Sequence, residues 1–264
     1  MDKFAGSIAI VTGGSAGIGK ALIKRLLEKS SNLTVIGIAR RPIDDFSSFP
    51  NFRSIQCDVS KADQIQSMIS TVQSEFSGKS VQILVNNAGH GKPLPLIDHS
   101  SLNDPATIQV ENLEDVSKVY ASQLNTNVLG LSLMTRAVSK LMDHQKCGNI
   151  VNINSMSGQR VVPTPNSHMY SATKFAVTAL TEGTRQELRV INSSIRANQI
   201  SPGYVDTDFF QAFSMEQGYQ EKMKEVVKTA ITSEDIVDSI MLCIEAQPGC
   251  QIGDIQIRPT VQKL

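Results

Sequence analysis

Neither sign of charge prevails in this chain of 264 residues: lysine and arginine together number 25, and so do aspartate and glutamate. Without a basic excess there is no electrostatic footprint for nucleic acid or for an anionic membrane. No apolar run approaches the ~18 residues that a membrane-spanning helix needs. The four cysteines, Cys57, Cys147, Cys243 and Cys250, contain no Cys-x-x-Cys pair. They fall at or near strand and helix positions, so buried thiols are expected rather than disulfides or a metal site. The four histidines are scattered as well, and no metal is expected. Met1-Asp2-Lys3-Phe4 leads straight into an apolar run, which leaves no room for a signal peptide and sets the expectation of a cytoplasmic protein. Repeats, linkers and low-complexity tracts are also missing, and a chain of this length that is 41% hydrophobic can bury one sizeable core.

What is present is an alternation. Short β-rich apolar runs at 8–11, 34–38, 53–57, 83–85, 149–154, 195–200 and 251–257 read as strands. Longer helical patterns lie between them at 18–29, 62–76, 116–142, 170–189 and 233–246. The β-α-β-α order predicts an α/β fold, a doubly wound and mostly parallel sheet flanked by helices, in a single domain over 1–264. Two segments break the rhythm: 90–114 is polar and carries prolines, and 204–229 is rich in aromatics and methionine.

Thr12-Gly13-Gly14-Ser15-Ala16-Gly17-Ile18-Gly19 follows the first strand and opens the first helix. Glycines there let the backbone turn tightly and approach a pyrophosphate lying on the helix N-terminus. The spacing is Gly-x-x-x-Gly-x-Gly rather than the commoner Gly-x-Gly-x-x-Gly. The second strand ends Gly37-Ile38-Ala39-Arg40-Arg41. An acidic residue at that tip would hydrogen-bond a ribose 2′-hydroxyl, whereas arginines accommodate a 2′-phosphate. The pair favours NADP(H); the plainer alternative is two solvated surface arginines. Tyr170 and Lys174, four apart, share one face of the predicted helix. A fixed positive charge favours the phenolate and lowers tyrosine's pKa from about 10 toward a range useful for acid–base catalysis.

These motifs, with Asn86-Asn87-Ala88-Gly89 and with Ser155 at the end of an apolar run, resemble the short-chain dehydrogenase/reductase family over roughly residues 4–202. The resemblance implies a Rossmann-like fold and an oxidoreductase acting on alcohols and carbonyls. It makes Tyr170 the general acid in reduction and the general base in oxidation. Lys174 would lower the phenol's pKa and hold the nicotinamide ribose. Ser155 would hydrogen-bond the substrate oxygen, and Asn127 would support a water chain reaching the lysine. Ser157 competes with Ser155, and the strand end favours Ser155; Asn125 competes with Asn127, and the following Val-Leu-Gly favours Asn127. For the cofactor the resemblance implies contacts from Gly13, Ser15, Gly17, Ile18, Gly19, Arg40 and Arg41, and from Asp58 and Val59 beside the adenine. It adds Asn87, Ala88 and Gly89 near the adenosine ribose, Pro202 and Gly203 under the nicotinamide, Thr207 at its amide or the pyrophosphate, and Val205 as a further contact. Asp58 reads equally well as a cap ahead of Ser60. His168 is expected on the rim.

Segment 204–229, with Phe209, Phe210, Phe213, Met215 and Met223, is expected to form a lid with an apolar, adaptable wall. A helix packed on the core is its alternative. The wall favours a lipophilic alcohol or ketone. Asn154-Ser155-Met156-Ser157-Gly158 and residues 251–260 resemble an animal subgroup of the family that acts on farnesol-type terpenols and on 17β- or 3-ketosteroids with NADP(H). The extra residues at 90–114 either reshape the pocket mouth or form an inert loop. A non-catalytic NADP(H)-binding sensor is the competing class, although all four catalytic candidates are retained. Apolar residues beyond one core stripe on the helices at 116–142 and 170–189, among them Val119, Leu131, Val138, Val177 and Leu180, predict a homodimer or homotetramer.

Overall fold

The computed structural model describes residues 1–97, 112–161, 166–209 and 228–262. Seven strands form one sheet: β1 (Ile8–Thr12), β2 (Thr34–Ala39), β3 (Phe52–Gln56), β4 (Val81–Asn86), β5 (Gly148–Ile153), β6 (Ile195–Pro202) and β7 (Asp254–Ile257). Their spatial order is β3-β2-β1-β4-β5-β6-β7, and every neighbouring pair is parallel. Parallel strands need crossovers, and helices supply all but the one from β2 to β3, which is irregular: α1 (Gly17–Lys29), α2 (Ala62–Glu75), α3 (Leu113–Leu124), α4 (Leu131–Ser139), α5 (His168–Val190) and α6 (Ser233–Glu245).

The central strands are buried along their whole length because helices cover both faces. Side chains alternate between two cores. Ala9 and Val11 of β1 join Leu22, Ile23 and Leu26 of α1 and Ile236 and Ile240 of α6. Ile8 and Ile10 point the other way, to Ile65 and Met68 of α2 and to Met134 and Val138 of α4. The chain runs outward from β1 to β3 and then crosses back to β4. That reversal opens a crevice at the C-terminal ends of β1 and β4, where α/β sheets bind ligands.

The sequence reading needs three corrections. The helix expected over 116–142 begins at Leu113, is interrupted by a π-helical turn at Asn125–Gly130 and ends at Ser139. The last strand is only Asp254–Ile257, because the Gln251 side chain bonds the Ala197 carbonyl and Asn198 Oδ1 in place of a ladder pairing. Leu131, Val138 and Val177, expected as surplus apolar surface, lie in the interior of this chain. The exposed large apolar residues of these helices are instead Leu113, Leu124, Phe175 and Val190, with Leu129 on the π turn. Each of the four cysteines is a free thiol. Among the described residues no helix is long and apolar enough to cross a membrane. Phe210, Phe213, Met215 and Met223 of the expected lid, and 98–111 of the expected insertion, lie outside the described residues.

Candidate active site

One cavity of about 700 Å³ lies over the C-terminal ends of β1, β4, β5 and β6. A second hollow, of about 430 Å³, sits far from it against Val72, Phe76 and Met142. It brings together none of the candidate residues.

The floor of the large cavity is the glycine turn. Gly13 and Gly17 have φ of +66° and +50°, a region open to glycine at little cost. Ala16 stands at the N-cap of α1 with no side-chain cap, which leaves first-turn N–H groups for a bound anion. Thr12 Oγ1 accepts from the Asn87 and Ala88 N–H groups at 2.9 and 3.0 Å, and Asn87 Nδ2 donates to the Thr12 and Gly13 carbonyls. Asn86 turns the other way, donating to Thr135 and Asn152 as a brace within the sheet. Arg40 and Arg41 line the cavity and stand exposed. Arg25, Arg53 and Arg185 are ion-paired; neither Arg40 nor Arg41 forms an ion pair among the described residues, although the Arg40 charge acts on the Asp58 carboxylate at longer range. An uncapped helix start, a glycine turn and two uncommitted guanidiniums fit the phosphates of a nicotinamide dinucleotide.

The catalytic candidates meet at the other end. α5 buries one stripe, and its first two turns place Tyr170 and Lys174 on that stripe, above the end of β5. Lys174 Nζ donates to the Ile153 carbonyl at 2.9 Å and lies 5.7 Å from the centre of the Tyr170 ring. Ser155 caps the short 3₁₀ turn Met156–Gly158, accepting from the Ser157 N–H, and its side chain hydrogen-bonds Tyr170. Ser157 lines the cavity too, but the phenol's hydrogen bond runs to Ser155. Asn127, on the π turn, sits behind the cavity wall. Its Oδ1 accepts from the His90 N–H at 2.9 Å, and its Nδ2 donates to the His90 carbonyl at 2.8 Å and to Thr173 Oγ1 at 3.0 Å.

Burial sets the electrostatics. It pushes the Tyr170 phenol well above its ordinary pKa, against the pull of the Ser155 hydrogen bond. It pushes Lys174 down to about 8. In this geometry the Lys174 ammonium addresses the Ile153 carbonyl, and desolvation of the phenolate outweighs the hydrogen bond from Ser155. Burial also holds the His90 imidazole below its ordinary value, with Arg40 and Lys92 adding to the effect.

Gly13, Ser15, Gly17, Ile18, Arg40, Arg41, Asn87, Ala88, Gly89, Ser155, Tyr170, Lys174, Pro202, Gly203, Val205 and Thr207 all border this cavity. Gly19, Asp58, Val59 and Asn127 do not. Asp58 Oδ1 accepts from the Ser60 N–H and hydroxyl, a local turn ahead of α2, whose N-cap is Lys61 without a side-chain cap. Gly19 packs against the Gly13 carbonyl. His168 starts α5 outside the lining. The sequence reading singled out neither His90, Met156 nor Gln262, which join the wall from separate segments, while Tyr204 and Asp208 come from the segment expected as a lid. His90 directly follows the Asn-Asn-Ala-Gly motif, a signal that could have found it. Gln262 has no such local signal.

The comparisons with known proteins agree with this geometry. The short chain dehydrogenase family model matches residues 7–218. The chain is 38% identical to dehydrogenase/reductase SDR family member 11 of Bos taurus, over 99% of each protein. It is 33% identical to the farnesol dehydrogenase of Aedes aegypti, over the full length of both. A serine dehydrogenase in its closed form, complexed with NADP+, superposes with a TM-score of 0.79 at 25% identity, covering 97% of this chain and 96% of that one. With a family match over most of its length and relatives above 30% identity along all of it, the chain belongs to the short-chain dehydrogenase/reductase family of nicotinamide-dependent oxidoreductases.

Proposed function

We propose that this chain is an NADP(H)-dependent oxidoreductase that interconverts a lipophilic secondary or allylic alcohol, of terpenol type, and its carbonyl. The observation that carries the reading is a single cavity with the Tyr170–Ser155–Lys174 cluster at one end and the uncommitted Arg40 and Arg41 at the other. A bound nicotinamide would supply or accept the hydride. The remaining work falls to side chains. In carbonyl reduction the substrate oxygen gains charge as the hydride arrives at carbon, and Tyr170 gives it a proton while Ser155 holds it by a hydrogen bond. A phenol whose pKa is raised by burial rests in the protonated form that this direction requires. Lys174 keeps a positive charge beside the phenol below about pH 8, which stabilises the phenolate left behind.

Arg40 and Arg41 support NADP(H) over NAD(H), since no acid stands at the tip of β2 to meet a ribose hydroxyl and repel a phosphate. Ile153, Met156, Tyr204, Val205 and Phe209 support a lipophilic substrate, with the Phe209 ring 5.6 Å from that of Tyr170. The likeness to a farnesol dehydrogenase points the same way. Exposed Leu124, Leu129 and Phe175, on elements that pack together, support a homodimer through the α3–α5 face. Free thiols throughout suit a reducing cytoplasm.

The test is a turnover panel run with both cofactors: oxidation of terpenols such as farnesol, and reduction of monoterpene and steroid ketones. NADP(H)-linked turnover of the lipophilic members is expected. Saturable NADPH binding with no turnover across the panel would favour a sensor, and a preference for NADH would remove the role given to the two arginines.

A further inference from the structure

The C-terminal turn reaches back to a corner of the cavity far from it in sequence. Gln262 N–H donates to the Pro259 carbonyl at 3.0 Å, which folds the tail over Pro202, Gly203 and Tyr204. The Gly203 N–H donates to the Ile257 carbonyl at 2.7 Å, and this ends the pairing of β6 with β7. Two residues on, Val205 starts a different pairing, with Ile231, and Asp206 N–H donates to the Ile231 carbonyl at 2.9 Å. The Tyr204 N–H falls between these two partners. Gln262 Oε1 accepts from it at 3.0 Å. A Cβ on Gly203 would overlap the Gln262 carboxamide and come within 2.7 Å of Arg258 Cβ, so the tail lies directly on this glycine. Gln262 also borders the same cavity as Tyr170 and Lys174.

We propose that Gln262 is a positioning residue: its carboxamide oxygen pins the peptide between Gly203 and Tyr204 and so sets the wall that continues through Val205 and Thr207. The inference rests on reading this cavity as the dinucleotide and substrate site. Without the acceptor, the Tyr204 N–H loses this hydrogen bond, and the corner is free to shift. A shift there alters how tightly the ligands sit while Tyr170, Ser155 and Lys174 keep their own contacts with α5 and β5.

The test compares Gln262→Leu, which removes the acceptor, with Gln262→Glu, which keeps one. Amide hydrogen exchange at Tyr204 reads the latch with no cofactor present, and NADPH fluorescence titration and ketone kinetics read its consequence. Gln262→Leu is expected to speed exchange at Tyr204 and to raise the NADPH Kd and ketone KM by ~3–10-fold, the loss of one neutral hydrogen bond, with kcat within ~2-fold. Gln262→Glu should restore all three. Unchanged exchange and KM in Gln262→Leu would overturn the proposal, as would a Gln262→Glu protein as impaired as the leucine variant. Exchange that responds as expected in a protein binding neither NADPH nor NADH would uphold the latch and overturn the cofactor reading.

Discussion

Asn127 holds His90 by both halves of its carboxamide, accepting from the His90 N–H and donating to the His90 carbonyl. The loop after β4 is thereby clamped to the π turn, and a third bond from Asn127 to Thr173 ties both to the residue beside Lys174. Asn127 is itself buried; its bond to Thr173 is made away from water, and its two bonds to His90 are partly buried.

Asn127→Leu should therefore lower thermal stability, since it leaves the His90 peptide groups and Thr173 without their partner. The loss is expected at ~2–4 kcal/mol, several buried groups each costing about 1 kcal/mol or more. Turnover should fall with it. A melting temperature equal to that of the parent would show that the clamp is dispensable.

Tyr170→Phe should bind NADPH almost as the parent does and lose at least ~10²-fold in kcat, the usual worth of a positioned proton donor. The hydroxyl is the group that Ser155 engages, and the ring's packing against Phe209 survives the change. A variant that keeps most of its turnover would remove Tyr170 from the acid–base role.

Replacing Arg40 and Arg41 together by alanine should weaken NADPH by about 10-fold or more and NADH by less than ~3-fold. Charge-assisted contacts to phosphate are strong, but solvent screens these exposed groups. Equal losses for the two cofactors, measured by fluorescence titration, would mean that the arginines do not read the extra phosphate.

Lys174→Met should raise the melting temperature near neutral pH while removing turnover. The folded-state pKa of Lys174 is about 8, below its ordinary 10.5, so burying the ammonium costs stability in full below pH 8. Between about 8 and 10.5 the unfolded chain binds more protons at this site than the folded one, and the parent gains stability as pH rises. The advantage of methionine, ~1–3 kcal/mol at pH 7, should shrink across that window. An advantage independent of pH would assign it to packing instead.

Leu124→Glu combined with Phe175→Glu should yield a monomer by light scattering at micromolar concentration, where the parent gives a dimer or larger. A carboxylate facing its own copy across a two-fold axis costs more than the apolar contact it replaces. A parent that is already monomeric would sink the dimer.

The sequence by itself determined the fold and the family. Ile8 and Ile10 against Ala9 and Val11 define a strand buried on both faces, and the glycine turn that follows can only open a helix. Tyr170 and Lys174 were legible because helical periodicity is local: four positions along one helix bring two side chains together whatever else the chain does. Tertiary structure decided what burial does to them. The phenol moves up and the ammonium down because α5 presses both into the interior above Ile153, a desolvation that no spacing of residues encodes. It decided as well that Val138 and Val177 belong to the interior of this chain, leaving Leu124 and Phe175 on its surface, since an apolar stripe does not say which neighbour covers it. The π turn that brings Asn127 to His90 has no composition of its own. Gln262 meets Tyr204 only because β7 pairs beside β6 and carries the tail back across the sheet, a contact between residues 58 positions apart that depends on the whole order of strands.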